Sequence, residues 1–143
     1  MGVYAKEPAA VVMDIEGTTT SIDYVMTELY PYARDRLPEF VRRHRTDPQV
    51  CRILEAARRE AGVWNDEAVV AALCAWMDAD RKVTPLKDLQ GLIWEEGYRS
   101  GALVSHVYPD VPPCLRAWRA RGLRLYIYSS GSAHAQRLIY GQI

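Results

Sequence analysis

The chain has 143 residues, with 18 Lys and Arg balanced by 18 Asp and Glu, and a net charge of zero excludes the dominant basic footprint of a nucleic-acid-binding domain. At 49% hydrophobic and 25% charged residues, it has the composition of one ordinary domain able to bury a core, not of a disordered chain. No apolar run approaches the roughly 18 residues of a membrane span, and the N-terminus lacks a basic region followed by an apolar one. A soluble cytoplasmic protein with no membrane partner is therefore expected. Cys51, Cys74 and Cys114 form no close pair and read as reduced, buried fillers. No zinc-ligand spacing accompanies them.

In chain order, the first expected element is a strand over 9–15, a short apolar run rich in β-branched residues and stopped by Gly17. It reads as a buried strand of the parallel type. Residues 24–43 are helical in composition, but Pro31 and Pro38 each remove a backbone donor and are expected to kink or divide the helix. Asp47 and Pro48 then offer an N-cap and first turn, with Val50, Ile53, Leu54, Ala57 and Ala61 on one face and Gly62 as the stop. Asp66 is expected to cap a second helix carrying Val69, Leu73, Trp76 and Met77, and Leu86, Leu89, Ile93 and Gly97 mark a third. The middle of the chain is thus an all-helical insert. Pro112 and Pro113 open a helix with Leu115 and Trp118 that ends at Gly122 and feeds a second strand over 123–128. A last helix begins after Ser132. Two strands do not make a stable covered parallel sheet, so either weak strands hide in the middle or the chain is the first part of a longer protein.

Both strands run into small polar loops. Asp14 and Glu16 leave the first, followed by Gly17, Thr18, Thr19 and Thr20; Ser129, Ser130, Gly131 and Ser132 leave the second. Carboxyl ends of strands form the ligand crevice of an open α/β sheet. Two acids there offer hard oxygens to Mg²⁺, and Asp is a workable phosphoryl acceptor. Serine hydroxyls and free N–H groups at a strand end and helix start favour phosphate. The same residue types also make ordinary polar turns and N-caps. Together they fit a Mg²⁺-dependent phosphoryl site better than two unrelated turns.

These two segments resemble the first and second motifs of the haloacid dehalogenase-like superfamily. Most of its members carry Asp two residues after the first Asp; the Glu16 found here, within Asp14-Ile15-Glu16-Gly17-Thr18-Thr19, resembles the enolase-phosphatase (acireductone synthase) family. Pro31-Tyr32, Asp80-Arg81-Lys82, Thr84-Pro85-Leu86-Lys87, Leu89-Gln90-Gly91 and Trp94 agree with it. The resemblance implies an α/β fold, a Rossmannoid parallel-sheet core (incomplete here) over 1–21 and 102–143, with an inserted all-helical cap over 22–101. It implies a Mg²⁺-dependent bifunctional enzyme of methionine salvage, a phosphatase with enolase activity, whose small-molecule substrate is 2,3-diketo-5-methylthiopentyl-1-phosphate and whose product is the acireductone. Carried over, Asp14 is the catalytic nucleophile position and a metal ligand, Glu16 a second metal ligand or catalytic acid–base group, and Ser129 and Ser130 bind the substrate phosphate. The cap would close over the site and exclude water.

The family's third motif, with a Lys, and its acidic fourth motif lie beyond the second and do not occur before Ile143. The expectation from sequence is a truncated, weakly active or inactive form of a protein that is monomeric at full length, with association through an exposed sheet edge as a consequence of truncation. The alternatives are a phosphatase of other specificity on the same scaffold, and a noncatalytic fragment that pairs with another chain. Lys82 and Lys87 read as solvated cap charges. Trp64, Trp76, Trp94 and Trp118 read as core or cap packing, His134 as a solvated helix position, and His106 has no partner evident in sequence.

Overall fold

The computed structural model describes residues 6–129 and 132–141. Strand β1 (Ala10–Met13) pairs in parallel with β2 (Arg124–Ile127), Val11 opposite Leu125 and Met13 opposite Ile127. The pairing extends by the Arg124 N–H to the Ala9 carbonyl and the Tyr128 N–H to the Met13 carbonyl. No further strand occurs among the described residues, so the hidden middle strands are absent there. Both strands are shorter than expected, and they are not buried on both faces: the cross-strand partners Val12 and Tyr126 are 65% and 49% exposed. An unbroken apolar run signals a doubly covered strand; here only one face is covered within the described residues.

Between the strands the chain is helical. Helix α1 (Ile22–Tyr24) passes through a π turn (Val25–Leu29) into α2 (Tyr30–Arg43). Pro31 supplies the reason for the wide turn. In a continuous α-helix its ring would meet the carbonyl four residues back, and the ladder instead opens so that the Tyr30 N–H bonds the Val25 carbonyl. Pro38 does not divide α2, which runs through it with Pro38 on the exposed side.

Helix α3 (Pro48–Ala61) follows the sequence expectation. The Asp47 carboxylate accepts from the N–H groups of Gln49 (2.8 Å) and Val50 (3.3 Å), and Gly62 ends the helix in the left-handed region. Helix α4 (Asp66–Asp78) is capped one residue earlier than expected, by Asn65, whose side chain accepts from the Ala68 N–H at 2.7 Å. Asp66 instead meets the guanidinium groups of Arg58 and Arg45. Helix α5 (Thr84–Ser100) is the central one, packing on α2, α3 and α4. Leu37, Leu73, Leu86 and Leu89 are fully enclosed in this four-helix core, each contributing about 1.5–3 kcal/mol on burial.

Helix α6 (Val111–Ala120) leads to β2 and α7 (Ala133–Tyr140) follows it, capped by the Ser132 hydroxyl on the Ala135 N–H at 3.1 Å. A second cluster of Val25, Leu29, Tyr98, Leu103 and Ile139 joins the π turn, the end of α5 and α7. It welds the insert to the strand-bearing segments. Some packing expectations fail. Trp64, in the connection between α3 and α4, is 92% exposed, and Cys51 and Cys114 are exposed while Cys74 is half-buried; for the cysteines this follows from helix phase and not from residue type. His106 does have partners: its Nδ1 accepts from the Ser21 N–H at 3.3 Å, and its ring stacks on Tyr24. Among the described residues no helix is long and apolar enough to cross a membrane.

Candidate active site

The turn after β1 is organised around one carbonyl. The N–H groups of Thr18, Thr19 and Thr20 all lie 3.0–3.2 Å from the Ile15 oxygen, and the Gly17 N–H donates to the Thr20 carbonyl at 2.7 Å. Gly17 sits at φ +78°, a left-handed conformation that favours glycine. The tight turn brings Glu16 into the lining of a cleft.

That cleft lies between the strand ends and the helical insert. Ile15, Glu16, Ser129 and Ser132 form one wall; Leu29 and Tyr30 from the π turn, with Leu86, Gln90 and Trp94 from α5, form the other. The rim carries Asp80, Arg81, Lys82 and Lys87. The last two are therefore not simply solvated charges of a remote cap: the fold turns the α4–α5 loop and first turn of α5 back over the strand ends. Trp94 is fixed by its indole N–H donating to the Leu29 carbonyl at 2.9 Å.

Asp80 adopts φ +53°. It terminates α4 in the place where glycine is usual, with its own N–H on the Met77 carbonyl (3.0 Å) and the Arg81 N–H on the Trp76 carbonyl (2.8 Å). A carboxylate kept in this left-handed position at a cleft rim costs of order 1 kcal/mol relative to glycine.

Asp14 follows β1 directly and is exposed, its Oδ1 accepting the Ile15 N–H at 2.8 Å. It does not line the cleft as Glu16 does. The two acids act on different neighbours. Burial, then the charge of Glu16, pushes the Tyr30 phenol up; burial, opposed by the Thr19 hydroxyl and aided by the charge of Asp14, does so for Tyr140. Thr19 is buried and its Oγ1 contacts the Asp14 carbonyl oxygen (3.3 Å) and the Tyr140 hydroxyl, so α7 holds the acid-bearing turn from behind. Ser129 lines the cleft beside Ser132; Ser130 lies outside the described residues.

Among the described residues no three His, Cys, Asp or Glu side chains gather as a metal cage. Mg²⁺ does not need one, since it commonly takes one or two carboxylates together with water and substrate phosphate. Asp14 and Glu16 have the hard oxygens, the exposure and the position at a strand end for that kind of binding. What sequence reasoning missed was the far wall. Asp80, Arg81, Lys82 and Lys87 were visible as a family-like segment, but their place at the cleft follows from the fold of the whole insert.

A parallel strand pair with acidic and serine-bearing turns at its carboxyl end, beside a helical insert, has the ligand crevice of an open α/β sheet. The chain belongs to the haloacid dehalogenase-like hydrolases, whose family model matches residues 8–142. Among curated relatives, Enolase-phosphatase E1 of Azotobacter vinelandii is 52% identical over 134 residues, covering 92% of this chain and 59% of the relative. The protein of the same name from Thioalkalivibrio sulfidiphilus is 53% identical over 132 residues, with the same coverages. The crystal structure of UTR4 protein from Saccharomyces cerevisiae superposes with a TM-score of 0.77 at 34% identity, over 93% of this chain and 56% of that one. The chain thus spans about 59% of the length of the curated relatives it matches.

Proposed function

We propose that the cleft is the site of a Mg²⁺-dependent enolase-phosphatase converting 2,3-diketo-5-methylthiopentyl-1-phosphate to the acireductone of methionine salvage. The observation that carries this reading is the convergence, in one cleft, of Glu16, Ser129 and Ser132 from the strand ends with Lys82 and Lys87 from the insert. The curated relatives' name supports the pairing of the two activities.

Each wall has a task. The Ser129 hydroxyl and the start of α7 receive the phosphate, where helix N–H groups and the dipole favour an anion, with Ser130 assigned to the same phosphate. The lysines add positive charge at the rim. The apolar wall of Leu29, Leu86 and Trp94 excludes water from a reactive enol. Glu16, which lines the cleft, is assigned the transfer of the proton alpha to the ketone or a place as metal ligand, and Asp14, exposed at the same strand end but outside the cleft lining, is assigned as phosphoryl acceptor and metal ligand. When bound at these two acids, Mg²⁺ would neutralise phosphate and enolate charge. Phosphoryl transfer then needs the Asp14 carboxylate to attack phosphorus as the enol oxygen leaves, and water to release the phosphate from the carboxylate afterwards.

The test is product formation from the diketo-phosphate by the purified chain with Mg²⁺, with EDTA and as Asp14→Asn. Each condition is run with and without the remaining segment of the Azotobacter vinelandii relative supplied in trans. Turnover that requires both Mg²⁺ and Asp14 in either arrangement supports the reading. Turnover indifferent to Asp14→Asn, or absent in both arrangements, overturns it.

A further inference from the structure

Helix α7 starts at the phosphate-side wall of the cleft, and its first turn carries a histidine that reaches across to the insert. His134 Nε2 lies 3.1 Å from Glu95 Oε2 on α5, while the other carboxylate oxygen, Oε1, is held by Arg99 at 2.5 Å. Arg99 is one turn along the same helix, so Glu95 already has an ion-pair partner on α5 when His134 meets it. The approach is close because α5 has Gly91 opposite the ring: a Cβ there would stand 3.2 Å from His134 Cδ2.

A protonated imidazole in the first turn of a helix faces the positive end of its dipole. Nothing in α7 itself favours a cation at that position; the favourable partner is on the insert. The other charged groups near the ring are Lys87 and Asp88 on α5 and Arg52 and Glu60 on α3, across the groove that His134 lines. Arg137 is on α7 itself. Of these, Glu95 alone is at ion-pair distance from the ring among the described residues.

We infer that His134 is a positioning residue: its pair with Glu95 pins the start of α7, and with it Ser132 and Ser129, against α5, more firmly when the imidazole is protonated. The inference rests on the reading of residues 22–101 as an insert that closes over the cleft. It goes beyond that reading by making the closure depend on the charge carried by the His134 imidazole. An exposed pair of this kind contributes a modest effect, about two- to fivefold in an opening equilibrium.

The experiment is amide hydrogen exchange of α7 at about pH 5.5 and about pH 8, corrected for intrinsic rates and referenced to the amides of α3. The proteins are the full chain, His134→Gln, Glu95→Gln and Gly91→Ala. Expected is α7 protection about two- to fivefold higher at the lower pH in the unaltered chain, lost in His134→Gln and Glu95→Gln and reduced in Gly91→Ala. Equal pH dependence in all four proteins, or none in the unaltered chain, overturns the inference. This readout needs no catalysis, so it stands or falls separately from the activity. Where turnover is measurable, the ratio of variant to unaltered KM should widen at low pH with kcat little changed; a change confined to kcat counts against a positioning role.

Discussion

Replacing Gly97 by alanine tests the packing of the insert. Gly97 lies inside α5, where alanine is the better helix former by about 1 kcal/mol, so propensity alone predicts stabilisation. The structure predicts the opposite. A Cβ at Gly97 would stand 2.8 Å from Leu103 Cδ1 and 2.8 Å and 2.9 Å from two ring carbons of Tyr32. Leu103 is buried and tethered by its own N–H to the Gly97 carbonyl at 3.0 Å, and the Tyr32 ring is covered by the Arg36 guanidinium at 3.7 Å. Neither neighbour can retreat freely. Overpacking of this kind costs about 1–3 kcal/mol, which after the propensity gain leaves a net loss of up to about 2 kcal/mol. Urea unfolding should show a lower midpoint with an unchanged slope. Leu103→Ala should cost about 2–5 kcal/mol alone, and the double variant should be more stable than the sum by about 0.5–3 kcal/mol, because truncation makes room for the new methyl. A Gly97→Ala protein more stable than the original, or strict additivity in the double variant, would refute the reasoning.

Asp47→Ala removes both side-chain bonds at the start of α3 and should cost about 1 kcal/mol in urea unfolding. Asp80→Gly relieves the left-handed position at the end of α4 and should raise stability by about 0.5–1 kcal/mol, while weakening substrate use if the rim carboxylate takes part in binding; unfolding and turnover measured on the same sample separate the two. The Glu96 carboxyl is held below the usual carboxylate range chiefly by the Arg43 guanidinium, with His44 adding to it. A depressed acid stabilises the fold above its unfolded value and loses that contribution as pH falls through the folded one, so unfolding followed down from about pH 5 should show a steeper loss in the original chain than in Glu96→Gln.

The sequence told most where the determinants are local. Helix α3 was legible from Asp47 to Gly62 because a cap, a first-turn proline and a stop glycine act within a few residues of themselves. The cap of α4 was displaced by one position because Asn65 and Asp66 are both competent caps, and what decides between them is the pair of guanidinium groups that claim Asp66. The strand-end turns with Asp14, Glu16 and Ser129 were legible from the apolar run that precedes each. The rim cations were not, since Lys82 and Lys87 reach the cleft only through the packing of α5 on three other helices. Nor was the partner of His106, which is the backbone of Ser21, 85 residues away. Strand burial was misjudged for a related reason: an apolar run records what a strand is suited to touch, and Val12 and Tyr126 are exposed here.

The π turn between α1 and α2 acts as a phase setter. One residue fewer between Val25 and Leu29 would let the ladder close as an ordinary α-helix, but everything on one side would then rotate by about 100° and shift by about 1.5 Å relative to the other. The Pro31 ring would also meet a carbonyl it now avoids. A single-residue deletion in this turn is therefore expected to swing the insert off the cleft, a change of phase that no substitution within α2–α5 reproduces.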